Sequence, residues 1–268
     1  MTTATVPAQA HRASSDLRLL CRQVLFEQLG FWLNPIGATF TIGFALVFMV
    51  LLGLSEGNSR IPFLHNVTLI EYYVPSFAAY GVMMACFNLL SIGLVQRREA
   101  GLLKRLRLSP IPVWAFLGAA LVSMLIIATI QVVVVVAVGR WGFGVALPHH
   151  YFALAATFVI GAFSFTAMGV AASTFIPNQD AAPAIVNVVF FVLLFISGVW
   201  FPLSPGSALA RLSSWFPVRY FVNAVLGPFG MQGGRPTWVW HDLLVVAAWG
   251  VAAGIVAVRR FRWAPRRD

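Results

Sequence analysis

Lysine occurs once in this chain, at Lys104, with Leu103 before it and Arg105 after it. A phosphate-cradling loop needs Gly-Lys-Ser/Thr, so the chain has no such loop and does not hydrolyse ATP by that route. Acids are scarce as well. Asp and Glu together number 8, and charged residues make up 10%, against about 25% in an ordinary soluble domain. None of the acids lies deep in an apolar run: Glu71 comes nearest, and Asp180 and Asp242 fall at run ends. This removes the intramembrane carboxylates from which proton relays are built. Only two cysteines occur, Cys21 in a polar region and Cys86 within an apolar run, which gives no disulfide framework. The pair His149-His150 has neither helical-turn spacing nor an acid beside it, so no metal site is expected. Neither His-Glu-x-x-His nor Gly-x-Ser-x-Gly appears, and no catalytic residue is assigned.

What is present is apolar. Hydrophobic residues make up 60% and mean hydropathy is +0.85. The chain reads as an all-α polytopic membrane protein. The net charge of +10 belongs beside anionic lipid. Aromatics are not interleaved with Arg on a polar face, so nucleic acid is not a partner. Six transmembrane helices are predicted, at 35–54, 72–95, 113–138, 151–175, 184–201 and 240–258, forming one domain over 35–258. The run Val132 to Val136 has strand propensity, but a lone strand in lipid would leave its backbone groups unpaired, so helix is predicted there too.

Before the first span, 1–15 is small, polar and expected to be disordered. Residues 16–34 form an amphipathic helix with Leu17, Leu20, Cys21, Val24, Phe31 and Trp32 on one face and Arg18, Arg22 and Glu27 off it. Between the fifth and sixth spans, 207–227 carries two helical patterns broken at Pro217, each too short to span, which suggests two short re-entrant helices. Residues 259–268 are a basic tail.

The stretch 96–112, between the second and third spans, is the charged segment around which the chain is organised. It holds Arg97, Arg98, Glu99, Lys104, Arg105 and Arg107, with Leu102, Leu103 and Leu106 at near-helical spacing. Residues 99–108 read as a short basic amphipathic helix opened by Glu99, or as a positive loop that only sets topology. With six spans both termini share a side with this stretch. That side carries 13 of the 18 basic residues, which places it and both termini in the cytoplasm.

Two stripes stand out inside the spans. Phe77, Tyr80, Met84 and Asn88 share one face of the second span, and Asn187 and Phe191 share one face of the fifth. Aromatic area and adaptable Met suit a flat apolar substrate, although such stripes also serve helix packing.

Three segments together resemble a known family, the permease subunits of type-2 ABC exporters, bacterial relatives of the G-subfamily half-transporters. Arg97 to Leu106 followed by Ser109-Pro110 is similar to the family's E-x-G-x-x-(x)-R-L…P segment. Ser197-Gly198-Val199-Trp200-Phe201-Pro202-Leu203 is similar to its S-G-x-x-F-P-x segment. Trp215 to Tyr220 resembles its N-P-x-x-Y segment, with Phe216 where Asn is common. The resemblance implies that 99–108 is a coupling helix docking on a separate ABC ATPase through Glu99, Gly101, Leu102, Leu103, Lys104, Arg105 and Leu106, with 16–34 as the connecting helix beside it. It further implies two permeases, identical or related, with two ATPases that bind the ATP and Mg, while this chain binds no cofactor. The second and fifth spans would line a central pathway through Phe77, Tyr80, Met84, Asn88, Asn187 and Phe191. Ser197, Gly198, Phe201, Pro202 and Pro217 would form its outer gate. The implied location is the bacterial cytoplasmic membrane, and the cargo an amphipathic drug, antibiotic or lipid, or alternatively a lipid-linked envelope glycan. A lipid-modifying enzyme would need clustered acids or histidines, and a secondary transporter midplane ionisable groups; neither pattern is present.

Overall fold

The structure is a computed structural model that describes residues 8–64, 66–102, 113–230 and 238–260. Its first helix, α1 (Ala8–Trp32), begins inside the stretch expected to be disordered. Ala8, Gln9 and Ala10 are good helix formers, and extending an existing helix is far easier than nucleating one. Asn34 then caps α2 (Pro35–Glu56): its side-chain oxygen accepts from the Gly37 N–H at 3.1 Å, and Pro35 occupies a first-turn position that needs no donor.

The connection after α2 contains a small hairpin, β1 (Arg60–Ile61) and β2 (Val67–Thr68). It is antiparallel, with Arg60 opposite Thr68 and Ile61 opposite Val67. Helix α3 (Leu69–Met83) follows. Glu71 accepts from both the Thr68 N–H and hydroxyl at 2.8 Å, so the acid nearest a span interior is a helix-start group. A π-helical turn, Met84–Leu89, joins α3 to α4 (Leu90–Glu99), making one 31-residue rod. At 1.5 Å per residue the rod is about 46 Å long, against a hydrocarbon core of about 30 Å. The rod therefore exceeds that core by about 16 Å if it runs along the membrane normal.

The remaining helices are α5 (Val113–Phe143), α6 (Tyr151–Ser173), α7 (Ala181–Ser197), the short α8 (Ala208–Ser213) and α9 (Pro217–Leu226), and α10 (Trp240–Arg260). Among the described residues five helices are long and apolar enough to cross a membrane: α2, the α3–α4 rod, α5, α6 and α10. The fifth expected span, 184–201, is instead the 17-residue α7. At about 25 Å it is at the short end of the lengths that cross a membrane. It ends because Gly198 takes a left-handed φ of 88°, a conformation costly for other residues.

The α3–α4 rod is the core of the bundle and is buried along most of its length. Successive apolar helices alternate in direction, so Ser173, at the end of α6, lies beside Arg98, and Arg260, at the end of α10, lies over the Phe175 ring at 5.5 Å. Glycine allows the closest crossings. A Cβ on Gly161 would lie 2.1 Å from Phe221, and one on Gly250 would lie 2.6 Å from Ser164.

Candidate functional site at the Arg97 end of the bundle

Leu20, Val24 and Phe31 of the expected apolar face of α1 are half-buried, Cys21 and Trp32 are exposed, and Glu27, expected off that face, shares it. Leu25 and Phe26 are each 62% exposed, while Glu27 is buried. Around a membrane protein the surroundings are themselves apolar, so Leu and Phe face outward at little cost and the polar residues turn inward to partners. Gln28 donates to the Ser123 carbonyl at 2.9 Å and hydroxyl at 2.8 Å on α5, and accepts from Trp32 Nε1 at 3.0 Å. Glu27 takes a bidentate pair from Arg97, both N–O distances 2.5 Å. The Glu27 side chain is 4% exposed and that of Arg97 31%.

Arg98 points the other way along the same helix end. Its guanidinium donates to the Ser173, Ile176 and Pro177 carbonyls at 3.1, 2.8 and 3.2 Å, and its Nε to Glu99 at 2.9 Å. A helix C-terminus leaves carbonyls without intrahelical donors, and a buried guanidinium supplies several at once in a fixed fork. Arg97 and Arg98 thus tie the end of α4 to α1 on one side and to the α6–α7 connection on the other. Charge alone had suggested lipid and topology roles for them. Glu27 and the three carbonyls had no sequence signal as partners.

Glu99 closes α4 and does not open a new helix. Ala100 N–H donates to Gln96 O, and Gly101 has a φ of 70°. The turn arises there because only glycine enters the left-handed region readily. Leu102 follows, exposed. Leu103, Lys104, Arg105 and Leu106 lie outside the described residues, as does the rest of the expected 99–108 helix. A cleft of about 590 Å³ lies beside this turn, lined by Gln96, Arg97, Ala100, Leu102, Gln179 and Asp180 among others.

The pathway candidates divide. Asn88, inside the π turn, donates to Asn187 Oδ1 on α7 at 2.9 Å, so the two amides are joined across the helices. Phe77 and Tyr80 are buried in the chain's own aromatic core, within 6.2 Å of each other. Trp200 is 6.0 Å from Phe77, and Phe190 is 5.7 Å from Tyr80. Met84 is half-buried, and Phe191 is 41% exposed. An interhelical amide pair in an apolar bundle contributes about 0.6–1.7 kcal/mol. A double-mutant cycle with Asn88→Ala and Asn187→Ala is expected to return a coupling in that range by SDS unfolding. Strict additivity would show that the pair contributes nothing.

At the far end, Tyr72 donates to the Gly198 carbonyl at 2.5 Å and so holds the terminus of α7 against α3. Ser197 is buried and its hydroxyl accepts from Val199 N–H at 3.1 Å. Phe201 is exposed, Pro202 half-buried and Pro217 buried at the start of α9. Arg219 donates to the Ala210 carbonyl and to Ser213 Oγ, closing α8 onto α9. Neither Tyr72 nor Arg219 stood out in the sequence, because both act on backbone carbonyls.

Residues 19–229 match the ABC-2 type transporter family. A putative transport permease of Bacillus subtilis, YvfS, is 25% identical over 180 residues, covering 66% of this chain and 71% of that protein. A probable multidrug ABC transporter permease of Escherichia coli K12, YbhR, is 26% identical over 193 residues, 71% of this chain and 52% of that one. The chain thus spans about half the length of the E. coli relative. The matched region runs from α1 through the turn after α9 and includes every side chain of the Arg97 and Arg98 network. The chain therefore belongs to the ABC-2 type transporter family, as a multi-pass membrane permease subunit.

Proposed function

We propose that this permease moves an amphipathic substrate, a drug, antibiotic or lipid, outward across the bacterial cytoplasmic membrane. A separate ABC ATPase binds the ATP and Mg and supplies the energy. Two permease copies and two ATPase copies form the working unit, and α7 completes a sixth crossing. The observation that carries this reading is the two-sided anchoring of the end of α4. Glu27–Arg97 and Arg98 with the Ser173, Ile176 and Pro177 carbonyls join three elements around the Gly101 turn. A push delivered at 102–108 by a partner is then passed to α1, to the α3–α4 rod and to α7 together. Asn88, Met84, Asn187 and Phe191 lie along the second and third of these, with Phe77 and Tyr80 behind them. Glycan export by the same machinery differs only in cargo.

The test is reconstitution with the ATPase and a panel of amphipathic compounds. Phe191→Ala, at an exposed position, is expected to change which compounds stimulate hydrolysis while basal hydrolysis stays within about twofold, since truncating one aromatic contact alters binding by about 0.5–1.5 kcal/mol. Absence of any ATP-dependent transport, or an equal loss for every compound, overturns the pathway assignment.

Orientation is tested separately. In a Cys21→Ser background, a cysteine at exposed Asn178 is expected to label only from the cytoplasm and one at exposed Ser204 only from outside. The reverse pattern would invert the proposed topology.

A further inference from the structure

Beside the Glu27–Arg97 pair a crevice of about 330 Å³ opens between α1, α2, the π turn and α5. Its apolar walls are Phe26, Phe31, Leu89 and Met124, and its polar part is Glu27, Arg97 and Asn34. Gly30 also lines it. This glycine sits inside α1 with ordinary helical backbone, and a Cβ there would meet nothing within 4 Å. Neither a left-handed conformation nor a close helix crossing explains it, and glycine inside a helix costs about 1 kcal/mol relative to alanine. Its structural consequence is open space next to a buried carboxylate.

We infer that this crevice is a binding site for a zwitterionic phospholipid headgroup of the phosphoethanolamine class. The argument rests on charge. Glu27 and Arg97 are a net-neutral pair, so an anionic ligand would face the carboxylate and a cationic one the guanidinium. A headgroup with a phosphate and a primary ammonium brings one partner for each. Arg97 uses Nη1 and Nη2 on Glu27, which leaves its Nε–H without a partner among the described residues. A phosphate oxygen fits that donor. Glu27 accepts from Arg97 on both oxygens and from Gln23 Nε2 on Oε1 at 3.4 Å, which leaves acceptor capacity on Oε2, and an ammonium N–H fits that. A trimethylated choline cannot donate such a hydrogen bond, so the site separates ethanolamine from choline. Phe26, Phe31, Leu89 and Met124 suit the first carbons of the lipid chains. The crevice also lies toward the Arg97 end of the rod, beside the Asn34 start of α2. The bound lipid would then sit between the connecting helix and the end of α4. The inference does not depend on the exported cargo or on the ATPase, because it is read as lipid retention.

The experiment reconstitutes the full chain into nanodiscs of equal parts phosphatidylethanolamine, phosphatidylcholine and phosphatidylglycerol, then counts retained lipid by native mass spectrometry. Phosphatidylethanolamine is expected to exceed phosphatidylcholine by roughly tenfold, the value of one charge-assisted hydrogen bond. Gly30→Phe fills the crevice and is expected to abolish that preference with the unfolding midpoint unchanged. The paired substitution Glu27→Gln with Arg97→Gln removes both charges and is expected to abolish it as well, so either variant suffices if the other fails to fold. Equal retention of the three lipids, preference for phosphatidylglycerol, or an unaltered preference in a folded variant each overturns the site.

Discussion

Arg98→Ala is expected to destabilise the chain by about 3–5 kcal/mol, measured by SDS or thermal unfolding in detergent. The side chain is 5% exposed and makes four hydrogen bonds, three of them to carbonyls of the α6–α7 connection. Alanine removes the donors and leaves Ser173 O, Ile176 O and Pro177 O without their cation, at an end of α6 where a helix already lacks intrahelical partners. A hydrogen bond to a charged group contributes about 1.5–3 kcal/mol, and such contributions in one network are not additive. Arg98→Lys keeps the charge but not the planar fork, so it is expected to recover less than half of the loss. A loss below about 1 kcal/mol for Arg98→Ala would mean that water replaces the guanidinium, as it does for an exposed ion pair. The connection would then not be fixed to α4.

Arg97→Ala is expected to cost about 2–3 kcal/mol, at or below the lower end of the range for breaking a buried pair. The discount follows from exposure: Arg97 is 31% exposed and keeps part of its hydration, whereas Glu27 is 4% exposed and is left as an unpaired buried carboxylate. Glu27→Gln is expected to cost less, because the charge it leaves unpaired, Arg97, keeps part of its hydration. Exchanging the two residues, Glu27→Arg with Arg97→Glu, keeps the pair and is expected to recover at least half of the single-variant loss. In the reconstituted complex the same singles are expected to lower substrate-stimulated ATP hydrolysis more than basal hydrolysis, with the exchange recovering it. That split distinguishes a contact that transmits motion from one that only holds α1 in place. If stimulated and basal rates fall together, the pair is structural.

Composition by itself determined that this is a helical membrane protein: 60% hydrophobic residues and 10% charged ones leave no other class. The helical character of the apolar runs was legible as well, because an apolar run must satisfy its backbone internally wherever it lies. So was the lack of a nucleotide-binding loop, since a single Lys preceded by Leu cannot form one. The segments around Glu99, Ser197 and Trp215 carry the resemblance to the family. What local spacing could not supply was partners. Glu27 meets Arg97 across 70 positions, Arg98 meets Ile176 across 78, and Asn88 meets Asn187 across 99. Each of those contacts exists because two particular helices pack at a particular rotation, and a polar side chain in an apolar bundle turns toward whichever donor or acceptor that packing offers. Glu27 joins Leu20, Val24 and Phe31 on the inward side of α1 for the same reason: its partner, Arg97, comes from another helix. The end of α4 moved to Glu99 because the turn belongs to Gly101, whose left-handed backbone a run of charges does not reveal. The length of α7 was likewise set by Gly198 and the Tyr72 hydroxyl that donates to its carbonyl, a contact between elements that only the folded bundle brings together.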